Sequence, residues 1–372
     1  MAAVAAAVVT GVTGGPATAV DLGGGTQVPC DAVMLAAAIT TASAGETLSL
    51  HRDCVYHLTA ENSPGEGLPT IAKSLTIRGN GATIVRDGPT AGLFRIFHVT
   101  STGNLRLEDV TVRGGSASGD GGGIEVDNGG KLTLEHVDVR DNTATGDGGG
   151  VWVEAGAAAV VRRSWLAFNN AERGGGLFAS GTLDVQDSEF FRNHARVLGG
   201  GLAQLGGDGS VRTTLVRRNT ATELGGGVYT HNGGMKISGS KIANNTAVNR
   251  GGGGIVNSEQ LTLEKTEVNG NVVGGPGGLG GGILNDASGA VLVLKGSKVT
   301  GNSANGNGAA QGGGVYNTSG TVTLDHSTVS DNASTTAPGG VYTDTLVTVI
   351  DSKVTHNIPT NCSPGLVPGC VN

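Results

Sequence analysis

A motif that returns about every 26 residues dominates this 372-residue chain and leaves few ways to fold it. Each unit opens on glycines followed by an aliphatic residue: Gly123-Ile124, Gly150-Val151, Gly176-Leu177, Gly201-Leu202, Gly227-Val228, Gly254-Ile255, Gly282-Ile283, Gly314-Val315 and a reduced Gly340-Val341. Each unit closes on an asparagine: Asn142, Asn169, Asn193, Asn219, Asn245, Asn271, Asn302, Asn332 and Asn357. Aligned on that asparagine, the residue three before it is always apolar, from Val139 and Leu166 through Val354. The residue eight before it is always aliphatic, from Leu134 and Val161 through Val349. Five before it, Val137 gives way to Ser or Thr in every later unit, from Ser164 to Ser352. Alternation with a period of two marks strands with one face inward. The same residue type at the same place in successive units marks strands that stack on their own copies. The pattern predicts an all-β fold, a parallel β-helix with one unit per turn, about three short strands per turn and turns about 4.8 Å apart.

The glycines are expected at corners that need positive φ. The asparagines are expected in a tight bend, stacked into a ladder whose amides bond neighbouring backbone. The Ser/Thr column is expected to be a second buried ladder in which hydroxyls satisfy one another. Before the regular units, Leu75-Thr76-Ile77, Ala82-Thr83-Ile84, Phe94-Arg95-Ile96 and Leu105-Arg106-Leu107 read as strands of less regular turns. Asp31 to Ala44 reads as a short N-terminal helix, with Asp31 near its N-cap and Gly45 at its stop. That helix would cover the end of the core. The organisation expected is a leader over 1–19, a cap with the helix over 20–60, the β-helix over 61–357 and a clipped tail over 358–372.

The leader reading rests on an apolar run from Ala2 to Val12, a Gly-Pro break and Ala17-Thr18-Ala19, which fit a secretory signal cleaved near Val20. The basic residues that ordinarily precede such a run are missing, so the translated start is expected upstream; an Ala-rich terminus without a leader role is the alternative. Export fits the four cysteines. Cys30, Cys54, Cys362 and Cys370 sit in two local pairs at the chain ends, neither spaced like a zinc site, and the expectation is Cys30–Cys54 and Cys362–Cys370 disulfides.

Composition removes several function classes. Charged residues are only 15% of the chain and the net charge is -7, which argues against tracking nucleic acid. The 68 glycines are too irregular for collagen, and ample Val, Ile and Leu argue against disorder. Runs such as Gly274 to Gly282 lack the strand–helix context and the Lys-Ser/Thr of a phosphate loop. No cofactor motif and no metal-ligand set stands out. The regular hydroxyl column points inward, which does not suit an ice-binding face.

Gly312-Gly313-Gly314-Val315-Tyr316-Asn317, Thr321-Val322-Thr323-Leu324 and Ser330-Asp331-Asn332 resemble the repeat of secreted bacterial right-handed parallel β-helix proteins of the pectin-lyase-like fold. Gly174 to Leu177 with Phe190 to Asn193 also resemble repeats of polymorphic outer-membrane proteins. Cys30 through Ile39 with Cys54-Val55-Tyr56 and Leu58-Thr59 is similar to an amino-terminal cap common in actinobacterial members. The resemblance implies the fold over residues 28–372. Proteins of this kind include lyases, hydrolases, epimerases, adhesins and passive surface proteins. The Asn-Thr-Asp and paired-Asp motifs of polygalacturonases and the acidic calcium cluster of pectate lyases are absent from the sequence.

One outward patch combines chemistry. Four residues before the asparagine, three successive units carry Asp138, Trp165 and Glu189; six before it they carry His136, Arg163 and Asp187. Read as one strand, Asp187 and Glu189 would stand about 6.7 Å apart, compatible with an inverting acid/base pair. Trp165 would stack on a sugar, and His136 or Arg163 would serve as base or carboxylate clamp. The alternative is a solvated face with cross-strand ion pairs. A second column, Trp152, Phe178, Tyr229, Tyr316 and Tyr342, either binds an extended glycan or packs beneath the glycine corners. The function expected is an extracellular surface or matrix protein that presents an extended face to a polysaccharide or cell-envelope glycan, without evident catalysis. The alternative is a polysaccharide lyase or glycoside hydrolase. A monomer with no membrane span is expected.

Overall fold

A computed structural model describes residues 24–88 and 92–372, so the leader expected over 1–19 lies outside the described residues. One turn shows the plan. Strand Lys131–Glu135 runs into a bend at His136, strand Asp138–Arg140 into a second bend at Asp141, and Thr143–Ala144 into a glycine corner that leads to Val151–Val153 in the next turn. Each strand pairs in parallel with its counterpart one turn away. The stacked strands form sheets of 23, 9 and 10 strands among the described residues. The result is a parallel β-helix of about 11 turns.

The aligned columns are physical ladders. Leu134, Val161, Val185, Val211 and Ile237 are successive register partners, and so are Val139, Leu166, Phe190, Val216 and Ile242; all are fully buried. Full burial of such side chains contributes about 1.5–3 kcal/mol each. Repetition of the unit therefore builds one continuous apolar axis.

The asparagines hold the second bend. The residue before each takes positive φ, as at Asp141 (57°), Phe168 (56°), Arg192 (50°) and Arg218 (56°), a conformation costing a non-glycine residue about 1–2 kcal/mol. Offsetting that cost, Asn219 donates from Nδ2 to Asn245 Oδ1 at 3.0 Å and to the Phe190 carbonyl at 3.0 Å. Its Oδ1 accepts from Asn193 N at 2.9 Å and Asn193 Nδ2 at 3.0 Å. The same pattern runs from Asn142 to Asn357 and ends on Asn361. The glycine corner is tight for a different reason. Gly148 turns with φ 64°, while a Cβ on Gly150 would lie 2.5 Å from the Gly176 carbonyl oxygen and 3.0 Å from Asn169 Nδ2.

Three expectations need correction. The hydroxyl column is buried, but its members do not satisfy one another: Ser164 Oγ donates to the Arg162 carbonyl at 2.7 Å and accepts from Val137 N at 3.0 Å. Hydroxyls one turn apart face backbone groups that are nearer than the next hydroxyl. Phe94-Arg95-Ile96 precedes its strand, which is Phe97–Val99. The helix spans Ala32–Thr41 rather than reaching Ala44, because the chain leaves helical geometry at Ala42. Its N-cap is Asp31, which accepts from Val33 N at 2.8 Å and Met34 N at 3.0 Å. Leu35 and Ile39 are buried against the first turns, and the Cys30–Cys54 bridge ties that end down, with Cα atoms 5.7 Å apart. Cys362–Cys370 closes the tail, with Cα atoms 6.5 Å apart.

Candidate functional site

The bend between the two strands of the long sheet is the feature that gathers polar chemistry. Its residues sit at positive φ and stack turn upon turn: Asn80, Asp109, His136, Arg163, Asp187, Thr213, Gly239, Lys265, Gly296 and His326. An outward bend leaves a furrow beside it. Four open depressions lie along it between the Arg78–Asn80 region and Asp325–His326, in two pairs, one sharing Arg163 and the other Lys265. At about 4.8 Å per turn, nine turn spacings give a track about 43 Å long.

The largest of these four, ≈ 560 Å³, is lined by Arg163, Trp165, Asp187 and Glu189 together with Ser164, Ser188, Thr213 and Leu215. The structure therefore brings four of the six patch residues to one place. Asp138, Trp165 and Glu189 are successive register partners, as the alignment implied. His136 belongs to the neighbouring depression, shared with Arg163. The expected single strand through Asp187 and Glu189 is wrong, because Asp187 is the bend, with φ 49°, between Thr182–Gln186 and Glu189–Phe191. The separation of an extended strand does not apply there. The two carboxylates also have different partners: Asp187 Oδ2 accepts from Gln186 Nε2 at 3.0 Å, and Glu189 pairs with Arg217 at 2.6 Å. Arg163 pairs with Glu135, which His136 also approaches at 3.8 Å. Burial raises the carboxyl of Asp138 above the usual carboxylate range, against the pull of Arg140.

Sequence reasoning missed what surrounds Trp165. Its ring stacks on Phe191 at 6.1 Å and meets Phe168 edge-on at 5.9 Å, and Phe168 and Phe191 meet edge-on at 5.5 Å. Ala167, the register partner of Phe191, leaves room for that stack. Arg217 lies 4.3 Å above the Phe191 ring and Arg192 5.1 Å from it. Phe168 is 40% exposed although it is a large apolar residue at positive φ. An aromatic residue beside the closing asparagine was the available signal, since the other units carry Asp, Arg, Asn, Gly or His there.

The second aromatic column is in register along the ten-stranded sheet. Of the two readings of this column, packing beneath the glycine corners holds for Phe178 and Tyr316, which are buried. The glycine corners fold over them: a Cβ on Gly174 or Gly312 would lie 2.7 or 2.8 Å from the Cβ of Phe178 or Tyr316. Trp152, Tyr229 and Tyr342 stay half-buried. Tyr316 stacks on Tyr342 at 4.4 Å, and burial pushes its hydroxyl up to about 12.

The same outward column starts with charge, a second feature the repeat alignment missed because it precedes the regular units. His98, Glu125 and Trp152 are successive register partners. His98 bridges Glu66 at 3.1 Å and Asp127 at 3.0 Å, and Arg95 bridges Glu66 at 2.5 Å and Glu125 at 2.7 Å. The bond to Glu66 pushes the His98 imidazole up to about 9, so it carries a proton in this network. Burial raises the Glu125 carboxyl above its ordinary value.

No protein-family model matches the sequence, and no curated protein matches it. Among solved structures, the chain is similar to the A-module of the mannuronan C-5 epimerase AlgE6 of Azotobacter vinelandii, with 16% identity over 93% of this chain and 98% of that one at a TM-score of 0.44. It is also similar to the pectate lyase Pel9A, with 14% identity over 89% of this chain and 73% of that one at a TM-score of 0.31. Overlaps this loose carry no argument about activity.

Proposed function

We propose that this is an extracellular β-helix protein that binds a glycan lengthwise in the furrow, with Trp165 as the stacking ring and Phe168 and Phe191 packed beside it. The observation that carries this reading is the aromatic trio itself, accessible on the outer face and flanked by Arg163, Arg192 and Arg217. Sugar rings present apolar faces to aromatic rings and hydroxyls to the charged groups beside them. A straight track with a repeat of one turn suits an extended polymer better than a compact ligand. Two disulfides favour an oxidising compartment, and no helix among the described residues is long and apolar enough to cross a membrane.

A second reading, a polysaccharide lyase or hydrolase, draws on Arg163, Asp187 and Glu189 lining the same depression as Trp165. Binding is favoured because the Glu189 carboxylate is already paired with Arg217. The test is a glycan and cell-wall polysaccharide array with wild type and Trp165→Ala. Binding that Trp165→Ala weakens at least tenfold, without new reducing ends or unsaturated products, is the expected outcome. Absence of binding to any polysaccharide overturns the reading, and turnover lost in Asp187→Ala with Glu189→Ala replaces it with the enzymatic one.

A further inference from the structure

We infer that Glu66, His98 and Glu125 form a binding site for a divalent transition-metal cation near the N-terminal end of the ten-stranded sheet. The inference is independent of glycan binding in the furrow, which lies along a different sheet.

Three observations carry it. First, these residues each offer one ligand atom, and the three atoms lie within 4.8 Å of one another. Second, Glu66 is only 7% exposed, yet its Oε2 has no hydrogen-bond partner. A buried carboxylate oxygen left unpaired is costly, and a cation removes that cost. Glu125 Oε2 is buried too, with Arg95 as its partner at 2.7 Å. Third, the local charge is unbalanced. Glu66, Glu125 and Asp127 face a single permanent cation, Arg95, so a divalent ion bound to neutral His98 brings the cluster to neutrality.

Ligand chemistry sets the class. One imidazole nitrogen with carboxylate oxygens suits Zn²⁺ or Mn²⁺, whereas Ca²⁺ and Mg²⁺ take all-oxygen sets. Asp127, bonded to the far nitrogen of His98, would orient the ring as a second partner does in known metal sites. All four cysteines are in disulfides and do not compete for the ion.

The test is calorimetric titration of Zn²⁺ into the chelator-stripped full chain. One site per chain is expected, weakened at least tenfold by Glu66→Gln and by His98→Ala, unchanged by His326→Ala, and at least tenfold tighter than Ca²⁺. Because the cluster is buried, a variant that misfolds would also lose binding. Wild-type crystals soaked in Zn²⁺ therefore provide the second arm, and an anomalous peak among Glu66, His98 and Glu125 is expected. No saturable site, affinity untouched in folded Glu66→Gln, equal affinity for Ca²⁺, or anomalous peaks only at other histidines each overturn the inference.

Discussion

Replacing Asn219 with alanine cuts the asparagine ladder at its middle. Four hydrogen bonds go: two donated by Nδ2, to Asn245 Oδ1 and the Phe190 carbonyl, and two accepted by Oδ1, from Asn193 N and Nδ2. At about 1 kcal/mol net per bond the loss is about 4 kcal/mol. The backbone N–H of Asn193 is then left without its acceptor in a buried bend, which adds to the cost rather than reducing it. Ser240→Ala is the internal comparison, because it removes only two bonds, to the Ser238 carbonyl and from Thr214 N, worth about 2 kcal/mol. Urea unfolding followed by the fluorescence of Trp152 and Trp165 compares the midpoints. Since a stack of repeats can unfold in stages, amide hydrogen exchange at Asn193 gives the local readout. Faster exchange at Asn193 and a midpoint below that of Ser240→Ala are expected. A loss below about 1 kcal/mol, or one no larger than that of Ser240→Ala, would refute the claim that side-chain ladders hold the bends.

Other consequences are as direct. Gly150→Ala forces a methyl against the Gly176 carbonyl and should leave little folded protein, whereas Gly119→Ala meets open space and should be tolerated; soluble yield and thermal midpoint compare them. Removing the Cys30–Cys54 bridge by a double serine substitution should cost about 3 kcal/mol in the chain-entropy view, with protease sensitivity rising first around the Ala32–Thr41 helix. The His326 imidazole, hydrogen-bonded to Asp325 and near Asp351, should titrate above the ordinary histidine value in an NMR titration, and Asp325→Asn should bring it back. Because that shift is upward, any stability it lends is present at acidic pH and fades as pH rises through the folded value.

The coil was legible because its cause is local and repeated. An aliphatic residue eight before each asparagine can return in register only if the turns stack, and the Leu134-to-Val349 ladder does so. Bends were harder to read. Period-two alternation in the sequence runs through Asp187, but the polar residue there is in the left-handed region, and a lone Asp, Arg or Lys does not announce positive φ as glycine does. The hydroxyl column was seen, but its partners were misassigned, because the backbone carbonyl two residues back is invisible to an alignment of side chains. A second polar ladder, Asn257–Asn285–Asn317, passed unnoticed because it spans only three turns and continues as Gln204 and Thr230 on one side. Residues that cooperate across turns at different positions in the unit escape column reading altogether. Trp165, Phe168 and Phe191 occupy three different columns, and Glu66 and His98 lie before the regular units begin.

Soaking an oligosaccharide found on the array into crystals, then tracing it, tests the functional account most directly. Sugar rings are expected over Trp165 and Phe168, with the glycan running parallel to the stacking axis. A chain bound across the strands, or on the face that carries Trp152 and Tyr229, would contradict it.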